Sequence, residues 1–437
     1  MSAADWSGAL RDEALPPLLL DRHAVQPLVV VGGGVVGVSI ALRLQARGRP
    51  VLLLERRGIA AEASRGNAGA LAFSDIQPLA SPRILRQVPR WLLDPLGPLA
   101  LRPAYLPRML PWLWRFWRAS RPRQVEASTR VQAALLALSA AEMPYQLALG
   151  GASAMLRRDG NLHLYDSEAH WRASLPGWAL RERHGIAFEH LHGAQALAAL
   201  QPGLAPQLCH ATFVPHWQTV EDPQQLVLRM AQAFAAAGGR IARAEVQALR
   251  PEADAVALQL AGGQVLRAQQ VVVAAGAWSH RLAATLGERI PLETERGYNT
   301  SLPPGALDLR RQLTFADHGF VVTPIGGGVR VGGAVEFGGL AAAPDYRRAD
   351  AMLAKARRFL PALKPEGGTR WMGFRPSLPD SLPALGPARA DARVIYAFGH
   401  GHLGLTQSAA TAALVERLLA GEALPPELAP LSPRRFG

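Results

Sequence analysis

The chain has 437 residues, 49% of them hydrophobic and 19% charged, which suits a large two-domain globular protein and excludes a disordered chain. The formal net charge is +13, but all 47 basic residues except Lys355 and Lys364 are arginine, so the excess follows an arginine-rich composition and indicates no nucleic-acid partner. Cys209 is the only cysteine, which excludes an intrachain disulfide, a thiolate metal cluster and a CxxC pair and fits a reducing, cytoplasmic setting.

The first 27 residues carry no basic stretch followed by an apolar run, so they read as a loose leader and not as a secretory signal. No apolar run reaches the ~18 residues that a membrane-spanning helix needs. Leu28 to Val31 is an apolar strand that ends at once in Gly32-x-Gly34-x-x-Gly37. A helical pattern runs from Val36 to Gly48, and a second apolar run, Val51 to Leu54, closes on Glu55. Gly32 permits the tight turn, Gly34 lets the backbone approach a pyrophosphate, and Gly37 lets helix and strand pack closely. The helix N-terminus at Val35 and Val36 offers N–H groups to phosphate. Glu55 can accept hydrogen bonds from ribose hydroxyls. Strand, glycine turn, helix, strand and acid together predict a dinucleotide site.

Residues 83–118 differ in character. Prolines cut them into short pieces, and Trp91, Trp112, Trp114 and Trp117 sit among Arg86, Arg90, Arg102, Arg108, Arg115 and Arg118. That pattern suits either a pair of short helices packing as a lid over the active site or over the core, or a peripheral contact with an anionic membrane in which arginines snorkel. Residues 128–150 read as a helix. Segment 154–165 alternates around Asp159-Gly160 and reads as a strand or hairpin. Asp222-Pro223 with Gln225 starts a helix that stops at Gly238-Gly239. A strand over Ile241–Val246, a hairpin around Gly262-Gly263 and a buried strand from Val271 to Ala275 follow. Phe320–Thr323 and Val329–Gly332 flank Gly326-Gly327-Gly328 as a second hairpin. Val394–Phe398 is a last buried strand, leading through GHGHLGL into a helix from Thr406 to Leu419.

Such β-α-β units at the start, middle and end, with antiparallel material between them, predict an α/β chain. A Rossmann-like dinucleotide domain is assembled from discontinuous segments, 28–82, 195–290 and 371–437. An α+β domain with an antiparallel sheet takes 83–194 and 291–370.

Four further motifs stand in order: Arg56 with ASRGNAG at 63–69, AAGAWS at 274–279, WMGFRPSLPDSLPALGP at 371–387 and FGHGHLGLT at 398–406. With the glycine turn they resemble the D-amino-acid oxidase/dehydrogenase family of FAD enzymes, and most closely its bacterial D-amino-acid dehydrogenases. ETERGYNTSLP at 293–303 and RPSLPDSLPALG are also similar to D-hydroxyproline dehydrogenases. The resemblance implies a noncovalent FAD whose pyrophosphate faces Gly32, Gly34 and Gly37 and whose ribose is held by Glu55. It places Ser64, Asn67, Ala68 and Gly69 in a loop past the pyrophosphate and flavin, and Val246 at the adenine. Ala275 and Gly276 line the cofactor near Trp278. Gly399, His400, Gly401, Leu403, Gly404, Leu405 and Thr406 run beside the isoalloxazine. Arg375 matches the substrate-carboxylate arginine, and Tyr298 stands where the family has a tyrosine hydroxyl in the substrate pocket.

Alternatives remain at single residues. Arg375 also suits a surface position before a proline turn, and Tyr298 a core tyrosine with a bonded hydroxyl. His402 either faces the substrate or only shapes the flavin loop. His400-x-His402 has no evident third ligand, so no metal is expected. Cys209 reads as an inert thiol and Glu336 as structural. The implied reaction is oxidation of a D-amino acid by hydride transfer from the α-carbon to flavin N5, giving an imino acid. The partners are then an amino-acid substrate and an electron acceptor such as a quinone or the respiratory chain, with peripheral membrane contact through 83–118. Two other functions fit: a glycine- or sarcosine-type oxidase using oxygen, and a flavoprotein subunit that docks through 83–118.

Overall fold

The computed structural model describes residues 10, 15–19, 24–82, 84–85, 88, 97 and 99–437. Its first sheet has eight strands. In order they are Arg240–Arg243, Leu52–Glu55, Val25–Val31, Val265–Val273, Val256–Leu260 and Val246–Pro251, with Val394–Phe398 also paired to Val265–Val273 and carrying Ala384–Pro387. The pairs among Arg240–Arg243, Leu52–Glu55, Val25–Val31, Val265–Val273 and Val394–Phe398 are parallel. Their central residues are almost wholly apolar and buried, as strands covered on both faces must be. Helices Val35–Ala46, Pro122–Leu149, Pro223–Ala236 and Gly404–Leu419 share one core with this sheet.

The second sheet has nine strands. The order is Thr369–Ser377, Glu293–Leu302, Gly328–Phe337, Phe320–Ile325, Gln312–Phe315, Asn161–Tyr165, His210–Val214 and Glu189–His192, with Leu99–Leu101 alongside Gly328–Phe337. It is antiparallel except where Gln312–Phe315 meets Asn161–Tyr165 and where Leu99–Leu101 joins. Helix Arg347–Phe359 packs on it through Met352, Ala356 and Phe359.

The α/β class and both hairpins agree with the sequence. Asp222 caps its helix as expected, its Oδ1 accepting from the N–H groups of Gln224 and Gln225 at 2.8 and 3.0 Å. Three boundaries differ. The segment bounds place His210–Val214 and all of Thr369–Ser377 after Arg370 in the dinucleotide domain, but both are strands of the second sheet. Both lie beside a domain crossing, and only their pairing partners reveal which sheet they join. Helix Pro122–Leu149, assigned to the second domain, instead packs on the first, where Arg43 bonds Glu142 at 2.6 Å and Glu416 at 2.5 Å. Within 154–165, Leu156–Arg157 and Asn161–Tyr165 are strands of different sheets and not one hairpin. The leader is not loose where it is described: Leu10 and Leu15 are buried in the first core, and the Leu10 carbonyl accepts from Ile59 N–H at 2.9 Å.

Candidate active site

A cavity of ≈ 880 Å³ runs between the two sheets. At one end lies the glycine turn. Gly32 has φ +117°, and a Cβ there would stand 2.4 Å from the Ala274 carbonyl oxygen. Gly34 is the N-cap of helix Val35–Ala46 and supplies no side chain to close it. A Cβ on Gly34 would meet only Ser64 Oγ, at 3.4 Å, so the space beside this backbone is open. Gly34, Val35 and Val36 all border the cavity, and Ser64 Oγ accepts from the Val35 N–H at 2.9 Å. A helix start that borders a cavity and has no capping side chain of its own is a ready anion site.

Gly37 departs from the implied role. It does not border the cavity; a Cβ there would stand 1.9 Å from the Gly32 carbonyl oxygen. It is a packing residue, as the spacing alone indicated. Glu55 borders the cavity, and its carboxylate also clamps the turn: Oε2 accepts from the Gly33 N–H at 2.7 Å and Oε1 from the Arg57 N–H at 2.9 Å. Burial raises its pKa, and these two bonds oppose the rise. Arg56 lies 3.8 Å over the Trp278 ring and pairs with Glu62 at 2.5 Å. Both Arg56 and Trp278 border the cavity beside Val246, Ala275 and Gly276.

The 63–69 loop is held from the second sheet. Asn299 Nδ2 donates to the Gly66 carbonyl at 2.7 Å, and Arg330 NH1 donates to the Asn67 carbonyl at 2.6 Å. Ser64, Asn67 and Ala68 border the cavity. Gly69 does not: at φ +65° its N–H is held by Asn67 Oδ1 at 2.7 Å, and its carbonyl accepts from Val220, so it turns the chain away. All of Gly399 to Thr406 borders the cavity. His400 is neutral, burial having pushed it down to about 4, and its Nε2 meets Thr411 Oγ1 at 3.0 Å. It braces the loop from behind.

At the other end stands Arg375, on strand Thr369–Ser377. Its guanidinium borders the cavity and donates to the carbonyls of Ala334 and Gly333 at 3.1 and 3.4 Å. Room for it comes from Gly297, where a Cβ would stand 2.3 Å from Arg375 NH2. Burial lowers its pKa, and the more distant charge of Glu295 partly restores it. No carboxylate among the described residues pairs with it directly. Tyr298 also borders the cavity, but its hydroxyl donates to Glu336 Oε2 and accepts from the Asp345 N–H at 3.1 Å. It is the core tyrosine with a bonded hydroxyl. Glu336 also binds Arg296 at 3.0 Å and Arg102 at 2.7 Å, a structural hub on the sheet.

His402 borders the cavity with its Nε2 3.4 Å from Asp75 Oδ2. Sequence reasoning missed Asp75 and its neighbours on the cavity wall, His163, Trp178, Arg181 and Gln312. No local spacing marks them; four separate segments bring them together. Cys209 lies away from the cavity and donates to the Pro206 carbonyl at 3.4 Å.

Trp91, Arg86 and Arg90 of the 83–118 segment lie outside the described residues. In helix Leu106–Ala119, Met109 and Trp112 are buried, and Trp112 packs against Phe337. Leu110, Trp114 and Trp117 of the same helix are exposed. No described helix is long and apolar enough to cross a membrane.

A glycine turn, an open helix start and a cavity continuing to a half-buried arginine suit a dinucleotide beside an anionic ligand. Residues 27–418 match the family model described as DAO, FAD dependent oxidoreductase, and the chain belongs to that family. FAD is its cofactor. The chain is 35% identical to a D-amino-acid oxidase of Bradyrhizobium diazoefficiens, over 94% of this chain and 98% of that one. It is 31% identical to D-amino acid dehydrogenase 2 of Ralstonia nicotianae, over 91% and 97%. Among solved structures, glycine oxidase from Geobacillus kaustophilus has the same fold, with TM-score 0.72, 23% identity and coverage of 93% of this chain and 97% of that one.

Proposed function

We propose that this enzyme oxidises a D-amino acid to an imino acid. The observation that carries the reading is Arg375: a guanidinium inside the cavity, bonded only to carbonyl oxygens, in a position to take a substrate carboxylate through paired N–H donors. The names of the curated relatives support the D-amino acid. Bound FAD supplies the acceptor for the hydride from the α-carbon. The chain's part is to anchor the carboxylate, orient the α-carbon and exclude water. FAD is held without a covalent bond in this reading, and the lone thiol, Cys209, lies off the cavity.

The electrons pass to a quinone or another respiratory acceptor. Helix Leu106–Ala119 supports a peripheral membrane contact for that transfer, since its exposed Leu110, Trp114 and Trp117 stand among Arg108, Arg115 and Arg118 and the helix has no acid. Salt-sensitive sedimentation with anionic vesicles checks the contact. A relative named as an oxidase favours one second reading, transfer to oxygen; stoichiometric peroxide from the purified enzyme would establish it. For the site itself, propionate should perturb the flavin absorbance of the holoenzyme, and Arg375→Ala should abolish that binding. Propionate binding equally well to the variant would remove the assignment.

A further inference from the structure

We infer that His402 takes the proton from the substrate ammonium, with Asp75 as its positioning residue and Arg181 holding Asp75. The inference rests on the reading of the site as an amino-acid oxidation site. An amino acid arrives at neutral pH as an ammonium, whose nitrogen has no lone pair to form a C=N bond. It must lose a proton before its α-hydrogen can leave as hydride, and a basic side chain beside the substrate nitrogen would accept that proton.

Several other groups on the cavity wall do not suit this role. Arg375, Arg330 and Arg181 are cations without an acceptor atom. The Tyr298 hydroxyl is committed to Glu336, and burial with that bond pushes its pKa up to about 12. His163 is a neutral ring that burial and the Arg181 charge push down to about 3, so its proton affinity is too low. His400 is also neutral and turned toward Thr411.

His402 has the arrangement such a base needs. Its ring is about a third exposed, at 35%. With the Nε2 proton directed to Asp75 Oδ2 at 3.4 Å, Nδ1 carries the lone pair. The Asp75 carboxylate then stabilises the imidazolium that forms. Asp75 is fixed in turn, its Oδ1 3.3 Å from Arg181 NH2. Arg181 is itself clamped by the Ser74 carbonyl at 2.9 Å and lies 4.8 Å over the Trp178 ring. Burial would raise the Asp75 pKa, but the His402 hydrogen bond and the positive charge beside it, Arg181 included, hold it below the usual carboxylate value. Three distant segments converge here: the loop after strand Ala70–Leu71, helix Glu168–Arg183 and the loop before helix Gly404–Leu419. The charged and titratable groups facing His402 are Asp75 and, behind it, Arg181 and His163, with Glu295 across a small adjoining pocket.

The step balances. An ammonium N–H bond breaks, its proton goes to His402 Nδ1 and its electron pair stays on nitrogen. The α-hydrogen would then leave with its electron pair, for which bound FAD would supply the two-electron acceptor. The nitrogen lone pair closes the C=N bond of an iminium, and the imidazolium returns its proton to solvent.

The test is the pH dependence of anaerobic flavin reduction in the holoenzyme, with D-alanine and with 3,3,3-trifluoro-D-alanine, whose amine is already neutral at pH 7. At pH 7, His402→Asn should slow D-alanine by about 100-fold or more, recover as pH rises through the D-alanine amine pKa, and slow the fluorinated substrate less than tenfold. Asp75→Asn removes the charge that favours the imidazolium, so the acid limb of kcat/KM should move to lower pH. Propionate affinity and flavin content should stay within threefold in both variants. Equal losses for both substrates at every pH, or no loss in His402→Asn, would overturn the inference. Failure of the unmutated holoenzyme to be reduced by any amino acid would instead remove the proposed function.

Discussion

The parallel sheet meets its ligand with backbone, and the antiparallel sheet with side chains. At the first, Gly32, Gly34 and the start of helix Val35–Ala46 form the wall within a few consecutive residues. At the second, Arg375, His163 and Gln312 reach the cavity from strands far apart in sequence. A phosphate site needs N–H groups and space, which one turn supplies. A substrate site needs chosen functional groups at chosen distances, which only a folded sheet supplies. Changes in the first half should therefore remove the cofactor, and changes in the second should spare it and alter turnover or stability.

The largest expected effect is at Gly34. Its φ of −77° is open to any residue, and a Cβ meets only Ser64 Oγ, so Gly34→Val should fold. Its side chain would fill the space of the pyrophosphate, and the purified protein should carry no flavin. A yellow Gly34→Val protein with normal flavin content would break the comparison on the cofactor side.

Arg375→Ala should keep its flavin and lose turnover. Removing one partner of a buried charged pair costs about 2–5 kcal/mol, which is roughly 30- to 4,000-fold in kcat/KM. Near-normal turnover would break the comparison on the substrate side. Tyr298→Phe sharpens it. Loss of a buried hydrogen bond to a charged group costs about 1.5–3 kcal/mol, so the melting temperature should fall while kcat/KM changes less than tenfold. A loss of turnover at unchanged stability would return the Tyr298 hydroxyl to the substrate.

The last effect is graded by pH and acts on stability alone. His163 is held down to about 3 by burial and the Arg181 charge, against an ordinary 6.5. The folded protein keeps this ring neutral, and the unfolded chain protonates it below 6.5. Stability should fall as pH drops from 6.5 toward 3, by up to ~1.4 kcal/mol per unit from this ring. His163→Gln should flatten the acid limb of melting temperature against pH, and an unchanged limb would contradict the assignment.

The same contrast explains what could be read from the sequence. Gly32 to Glu55 is legible because the turn, helix and acid of a phosphate site are contiguous. Arg375 and the 399–406 loop are legible because each lies in a local motif that resembles a known family. Asp75 is not, because nothing near it in sequence signals that Arg181 and His402 will meet it. Tyr298 was placed by motif, while its hydroxyl is directed by Glu336 on a neighbouring strand, a matter of register. The boundary at His210–Val214 failed for the same reason, since an apolar strand does not declare its sheet.

The most direct measurement is anaerobic mixing of the holoenzyme with matched D- and L-amino acids, with D-hydroxyproline among them, while flavin absorbance is followed. Bleaching by at least one D-amino acid, with its L-enantiomer inert, is the predicted result. Bleaching only by L-amino acids, or by none of the panel, would contradict the account.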